Sequence, residues 1–256
     1  MESTTIEITK EPEAENPILI EGLAGIGHIG RNTVSYLADH LEAEKVGEIH
    51  SHHFPPYTIV SDDNTVDVIN NNIYELKRDE KPDLVFLEGN AQASTSQGHY
   101  EVAEKVLEFI ERVDAREIIT VGGYGTGEVV EDPDVLAAAS STDQKEKYSE
   151  HDIRFDSEIG QVVGASGLII GLGEKRGYEG LCLLGETPGF LMSDPKSTEE
   201  VLKVLEDILE EDIDYSALDE KVEESQDVLK KLKNIQNKQN PDQESQQGGP
   251  DLGYIG

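Results

Sequence analysis

The fold is decided by the segment Ile18-Leu19-Ile20-Glu21-Gly22-Leu23-Ala24-Gly25-Ile26-Gly27-His28-Ile29-Gly30. Its first part is apolar and predicts a buried strand. Its second part satisfies the pattern G-x-G-x-x-G, which joins a strand to a helix in α/β proteins. The helix should follow at once, because apolar residues recur at helical spacing at Val34, Leu37, Ala38 and Leu41. The segment therefore predicts a strand, a glycine-rich turn and a helix.

The same alternation continues along the chain. Strand-like runs are predicted at residues 45–50, 57–60, 65–74, 83–88, 117–122 and 180–184. A helix is predicted over residues 98–113, and another begins at the capping box Ser197-Thr198-Glu199-Glu200. Strands that alternate with helices are typical of a three-layer α/β fold with a largely parallel sheet. We expect that architecture here.

Four regions follow from these patterns. Residues 1–16 are expected to be an irregular N-terminal arm, and residues 17–213 an α/β domain. Residues 214–233 carry a narrow apolar stripe and predict an amphipathic C-terminal helix. Residues 234–256 are rich in Gln, Asn, Gly and Pro, which predicts a disordered tail. That tail ends in the apolar tip Leu252-Gly253-Tyr254-Ile255-Gly256.

The charge balance excludes some functions and favours one environment. The 256 residues include 54 Asp and Glu against 21 Lys and Arg, for a net charge of -33. Nucleic-acid binding needs a basic surface, and docking on an anionic membrane does too, so we expect neither partner. Acids that are spread through apolar segments suit concentrated salt, which screens self-repulsion. A halophilic source is therefore expected.

Compartment and redox state follow from what the chain contains. No apolar run reaches the 18 residues of a membrane-spanning helix, and the start of the chain does not resemble a secretory signal. Cys182 is the single cysteine, so no internal disulfide can form. We expect a cytoplasmic protein.

Several motifs allow two interpretations. Gly25, Gly27 and Gly30 could hold a dinucleotide, or they could let a helix pack tightly on a strand, which we favour. The polar loop after residues 83–88 could bind a small molecule through Gln92, Ser94 and Thr95, or it could be a satisfied connection. These six residues define the alternative ligand crevice, for a nucleotide or nucleoside.

Candidate catalytic and metal residues are weak. His50, His52 and His53 lack further ligands at recognisable spacing, so no metal is expected. Ser166 stands in a motif one residue short of G-x-S-x-G, and Cys182 lies in an apolar strand typical of a buried, inert thiol. We expect no catalytic residue and no cofactor.

Four glycines share one face of a predicted helix: Gly160, Gly164, Gly167 and Gly171. Glycine is unfavourable within a helix, so their presence needs a reason. Close backbone packing, or else a ligand crevice, would explain them.

Taken together, the motifs resemble the PAC2 family of archaeal proteasome assembly chaperone-like proteins. The resemblance covers residues 17–210 and includes the glycine turn, Glu88-Gly89 through Gly98-His99-Tyr100-Glu101, and Gly122-Gly123-Tyr124. Its most specific part runs from Gly164-Ala165-Ser166-Gly167-Leu168 to Leu183-Leu184-Gly185-Glu186-Thr187-Pro188-Gly189-Phe190 and Asp194-Pro195.

The resemblance implies a core like that of nucleoside phosphorylases and related hydrolases, without their catalytic groups. It also implies a homo-oligomer that binds proteasome α-subunits or other assembly factors. In the family, a C-terminal ending of hydrophobic residue, Tyr and any residue enters pockets between α-subunits. This chain departs from that ending, because Tyr254 is third from the end. The implied docking residues are Leu252, Tyr254, Ile255 and Gly256.

Overall fold

A computed structural model of the chain describes residues 2–61, 63–155, 159–223 and 225. The larger of its two sheets has eight strands, and the smaller is a two-stranded hairpin. The strands are β1 (Thr4–Ile8), β2 (Ile18–Leu23), β3 (Glu44–Ser51), β4 (Thr58–Val60), β5 (Val66–Val68), β6 (Asn71–Leu76), β7 (Leu84–Gly89), β8 (Glu117–Gly125), β9 (Val135–Ala139) and β10 (Glu179–Thr187). The helices are α1 (Ile29–His40), α2 (Ser96–Arg112), α3 (Thr142–Tyr148), α4 (Ala165–Lys175) and α5 (Pro195–Leu209).

The eight-stranded sheet is parallel only at its centre. Its strand order is β1-β3-β6-β7-β2-β8-β10-β9. The four central strands, β7, β2, β8 and β10, are parallel, and each outer strand is antiparallel to its inner neighbour. The prediction of a largely parallel sheet therefore needs correction to a mixed sheet. Strands β6 and β7 are joined by a short loop without a crossover helix, which requires an antiparallel pair.

Two layers of helices cover the sheet, as the three-layer prediction expected. The face that carries Leu19, Leu87 and Ile118 packs against α2 and α4. The opposite face, with Phe86 and Ile119, packs against α1 and α5. The central strands are apolar on both faces because both faces are buried, as in β7, where all six residues are buried.

The N-terminal arm is not irregular as predicted. Strand β1 pairs antiparallel with β3, from Thr4 opposite Ser51 to Ile8 opposite Gly47. Thr4 is buried and Ile6 and Ile8 are half-buried, which is the alternation of an edge strand with one covered face. Strand β9 and helix α3 were also absent from the prediction, and the run at 65–74 is divided between β5 and β6.

The glycine-lined helix face is only partly present. Helix α4 begins at Ala165, so Gly160 lies before it and Gly164 is its N-cap with φ 94°. A Cβ on Gly167 would lie 2.4 Å from the carbonyl oxygen of Val162, whereas a Cβ on Gly171 would meet nothing within 4 Å. Close packing thus explains Gly167 and leaves Gly171 without a structural constraint.

The C-terminal region is described only in part. Helix α5 begins two residues before the predicted capping box, because Asp194 is the N-cap and accepts a hydrogen bond from the backbone N–H of Ser197 at 3.1 Å. Residues 216–223 are helical, and Leu218 is buried against the α1 and α5 layer. The rest of the predicted 214–233 helix, residue 225 apart, and the 234–256 tail lie outside the described residues. Within the described part of the chain, no helix has the length and apolarity needed to span a bilayer.

Candidate functional site

The glycine turn is anchored to α5 by hydrogen bonds. After β2 a short 3-10 turn (Ile26–His28) leads into α1, with Gly27 at φ 61°. The carbonyl oxygen of Gly27 accepts from the N–H of Asp194 at 2.9 Å. Asp194 also accepts from the Thr187 hydroxyl at 2.8 Å, while it caps α5. Hydrogen bonds therefore hold together the glycine turn after β2, the end of β10 and the start of α5.

Two glycines allow α1 to lie directly on the sheet. A Cβ on Gly30 would lie 2.2 Å from the carbonyl oxygen of Val121, and one on Gly22 would lie 2.1 Å from the carbonyl oxygen of Gly30. Real Cβ atoms do not approach backbone that closely. These contacts support the packing interpretation of the G-x-G-x-x-G pattern, which sequence reasoning favoured.

The loop after β7 is tied to the same region. Gln92 donates from Nε2 to the carbonyl oxygen of Ala24 at 2.9 Å, and its Oε1 accepts from the N–H of Ala165 at 2.9 Å. Thr95 caps α2 by accepting from the N–H of Gly98 at 3.1 Å. The N–H of Ser94 donates to the carbonyl oxygen of His53 at 2.8 Å, and Ser94 is exposed.

The structure thus brings all six predicted crevice residues to one edge of the sheet, where the central parallel strands end. Gly25 joins them, since a Cβ there would lie 3.7 Å from Nε2 of Gln92. The polar groups of Gln92 and Thr95 are occupied by backbone partners. Binding of a nucleotide or nucleoside at this edge stays a prediction.

Replacing Gln92 with alanine is expected to lower the free energy of unfolding by about 1–3 kcal/mol. The substitution leaves the Ala24 carbonyl and the Ala165 N–H without their side-chain partner, at the junction of β2 and α4. Gln97→Ala is the matched control, because Gln97 makes an exposed bond to Glu101 and its loss should cost little. Urea unfolding of both variants measures the difference. Equal losses in the free energy of unfolding would show that the two hydrogen bonds of Gln92 stabilise the fold no more than an exposed hydrogen bond does.

A buried polar cluster under α4 was missed by sequence reasoning. Glu21 of β2 is fully buried and lies opposite Thr120 of β8, which in turn lies opposite Cys182 of β10. Neither carboxyl oxygen of Glu21 makes a hydrogen bond of accepted geometry. Burial raises the pKa of Glu21 to about 8, and the nearby Ser166 hydroxyl and Leu23 N–H oppose that rise only in part. The sequence did carry a signal for this cluster, because Glu21 is an acidic residue within the otherwise apolar strand β2.

Burial has the same effect on the neighbouring thiol. It raises the pKa of Cys182 to about 12, with a smaller contribution from Glu21 and an opposing one from Thr120. A thiol with that pKa is protonated at neutral pH and is a poor nucleophile. Ser166 is buried as well, and its hydroxyl donates to the carbonyl oxygen of Val121 at 3.3 Å.

Two of the three histidines that were weighed as metal ligands, His50 and His53, lie beside carboxylates. His50 Nε2 lies 3.0 Å from Glu48, and His53 Nε2 lies 2.9 Å from Glu101. Within the described ranges there is no group of three or more His, Cys, Asp or Glu side chains that could hold a metal ion. The tail residues Leu252, Tyr254, Ile255 and Gly256 lie outside the described part of the chain.

Fold and site together define a three-layer α/β protein whose glycine-rich edge is closed by its own hydrogen bonds. The PAC2 family model matches residues 19–233, and the chain belongs to the PAC2 family. This confirms the family that the motifs indicated.

Relatives and solved structures agree with that assignment. The chain is 35% identical over 243 residues to the uncharacterised protein MJ1210 of Methanocaldococcus jannaschii. That match covers 94% of this chain and 93% of the relative. The crystal structure of PbaB from Pyrococcus furiosus, described as an archaeal proteasome activator, is 37% identical, has a TM-score of 0.86 and covers 91% of this chain and 100% of that one. PbaA from the same organism, described as an archaeal homologue of proteasome-assembly chaperone, shares the fold at 22% identity and a TM-score of 0.72, over 89% of this chain and 96% of that one.

Proposed function

We propose that this protein is a cytoplasmic, non-catalytic proteasome assembly chaperone or adaptor. It acts as a homo-oligomer and binds proteasome α-subunits or other assembly factors. The observation that carries the proposal is the likeness to the archaeal proteasome activator PbaB, at 37% identity over 91% of this chain. Membership of the PAC2 family supports the same role.

The candidate nucleophiles support a role without catalysis. Cys182 and Ser166 are both buried, and the thiol has a pKa raised to about 12. The strongly acidic chain, at a net charge of -33, favours protein partners over nucleic acid or anionic membrane.

The C-terminal tip is proposed to dock the partner. Leu252, Tyr254 and Ile255 are apolar residues at the end of a polar stretch, and a tethered aromatic anchor can supply most of the binding energy of a short peptide. Several tips on one oligomer would add avidity, even if a single contact is weak.

Removing the tip is expected to weaken capture of α-subunits. The measurement is a pull-down in molar KCl with purified archaeal proteasome α-subunits, which compares the full chain with a chain that ends at Asp251. A full-length variant with Leu252→Ser, Tyr254→Ser and Ile255→Ser separates the apolar side chains from tail length and the terminal carboxylate. We expect capture to fall at least about tenfold in both variants, the effect of losing one 1.4 kcal/mol contact.

Other outcomes would count against specific parts of the proposal. Unchanged capture by both variants would show that the tip is not the docking element. If the full chain also captures no α-subunit, the proteasomal role itself is wrong.

A further inference from the structure

A polar cavity of about 460 Å³ lies between the β4–β5 hairpin and the outer part of the large sheet. Ile59, Asp67 and Val68 line it from the hairpin, and side chains of β3 and β6 line it from the sheet. Ile59 lies opposite Asp67, so these two side chains share one face of the hairpin. The volume falls within the range of about 300–1,000 Å³ that is usual for small-molecule sites. We call this space the hairpin cavity.

The sheet side of the hairpin cavity is polar because the strand register places polar side chains next to one another. Glu48 of β3 lies opposite Asn72 of β6, which lies opposite Glu88 of β7. The Asn72 amide donates to Glu88 at 2.6 Å. Ile49 and Ile73 alternate with these residues and are buried in the core on the other face of the sheet. The outer strands therefore direct their polar side chains toward the hairpin and their apolar ones toward α2.

The charged groups of the hairpin cavity largely neutralise one another. Glu48 accepts from Lys45 at 2.5 Å and from the Asn70 amide at 2.7 Å, and it lies 3.0 Å from Nε2 of His50. The hydrogen bond from Lys45 is the main reason that the pKa of Glu48 lies below its usual value. Asp67 is the other carboxylate of the lining. An anion would have to displace Glu48 from Lys45 and would also meet Asp67, so the site disfavours anionic ligands.

Several hydrogen-bonding groups of the cavity are available to a ligand. The side chain of Asn90 has no hydrogen-bond partner among the described residues, and its amide can both donate and accept. Asp67 accepts from the Ser61 hydroxyl at 3.2 Å and retains further acceptor capacity. Ile59 and Val68 add aliphatic surface beside these polar groups. The lining thus combines amides, a carboxylate and aliphatic carbon.

We propose that the hairpin cavity binds a neutral polyhydroxylated molecule, of the class of monosaccharides and cyclitols. Each hydroxyl group is both a donor and an acceptor, and so matches the amides of Asn70 and Asn90 and the carboxylate of Asp67. The C–H groups of the ligand pack against Ile59 and Val68. A neutral ligand also leaves the ion pairs on the sheet intact. The site shares no residue with the predicted crevice, and the inference goes beyond the proposed function.

The test is isothermal titration of the full-length protein in molar KCl with glucose, galactose, mannose and myo-inositol. At least one of these four probes should bind saturably. Asn90→Ala should weaken that binding at least about tenfold, because the ligand loses hydrogen bonds while the fold loses none. Asn32→Ala is the matched control, since Asn32 lies in α1 and makes an exposed hydrogen bond to Ser193. The control should bind the probe as the wild type does.

Fluorescence gives the location independently, because the chain contains no Trp. Val68→Trp places one indole at the hairpin cavity, at a side chain that is 69% exposed. Val163→Trp places one before α4, at a side chain that is 78% exposed. The probe that binds the wild type should change the emission of Val68→Trp and leave that of Val163→Trp unchanged.

Spermidine and inorganic phosphate are titrated as cationic and anionic probes. The inference is overturned if none of the four neutral probes binds, or if only a charged probe does. Equal affinities of Asn90→Ala and Asn32→Ala would also overturn it, as would an emission change at 163 alone or at neither position. None of these measurements involves the proteasome, so their outcome is independent of α-subunit capture.

Discussion

Replacing Gly30 with alanine is expected to lower the free energy of unfolding by about 3 kcal/mol or more. Alanine is the better helix former, by about 1 kcal/mol per position, so propensity alone predicts a gain. The structure reverses that sign, because the new Cβ would lie 2.2 Å from the carbonyl oxygen of Val121 and 3.0 Å from its carbon. Both are backbone atoms of β8, so only a shift of α1 away from the sheet could relieve the clash.

Gly171→Ala is the matched control within another helix. Gly171 is exposed in α4, and a Cβ there meets nothing within 4 Å, so the substitution should stabilise by about 0.5–1 kcal/mol. Urea unfolding of both variants at one KCl concentration compares them directly. A Gly30→Ala variant as stable as the wild type would show that α1 does not need this close approach.

Gly30 also shows how much of the structure could be predicted from the sequence. The G-x-G-x-x-G pattern predicted the strand, the turn and the helix, and all three are present. Whether the glycines hold a ligand or a helix depends on Val121, which is 91 residues away along the chain, so only the tertiary structure could distinguish the two. The outer strands were harder for a related reason: β1 and β9 are edge strands, and nothing local specifies the strand beside which they lie.

The six predicted crevice residues follow the same logic. Each belongs to a motif that can be read directly from the sequence. Their position at one edge of the sheet depends on the parallel order of β7, β2, β8 and β10, which no local pattern encodes. Glu21 was missed because, in a chain with 54 acidic residues, one Glu gives little local indication that its side chain is buried.

That acid, Glu21, is expected to make the protein lose stability as the pH rises from about 5 to 8. Burial raises its pKa in the folded protein from 4.5 to about 8, so the folded state holds a proton that the unfolded state has released. The stability that the neutral carboxyl contributes is fully present below pH 4.5 and is lost as the pH rises through 8. The loss is on the order of 4–5 kcal/mol, at 1.4 kcal/mol for each pKa unit.

Glu21→Gln should remove this dependence while it keeps the shape of the side chain. The difference in free energy of unfolding between Glu21→Gln and the wild type should grow by about 1.4 kcal/mol per pH unit between pH 5 and 8. Other ionisable groups titrate in both proteins, so their effects cancel in the difference. Urea unfolding at fixed KCl concentration gives the two curves.

Asp63→Asn provides the control of opposite sign. Hydrogen bonds from the hydroxyl and the backbone N–H of Thr65 lower the pKa of Asp63 below its usual value of 3.8. Its stabilising effect is therefore present above pH 3.8 and is lost only as the pH falls below that value, so the difference between Asp63→Asn and the wild type should stay constant from pH 5 to 8. Parallel curves for Glu21→Gln and the wild type over that range would mean that the Glu21 carboxyl is already ionised in the folded protein, and that the cluster under α4 solvates it.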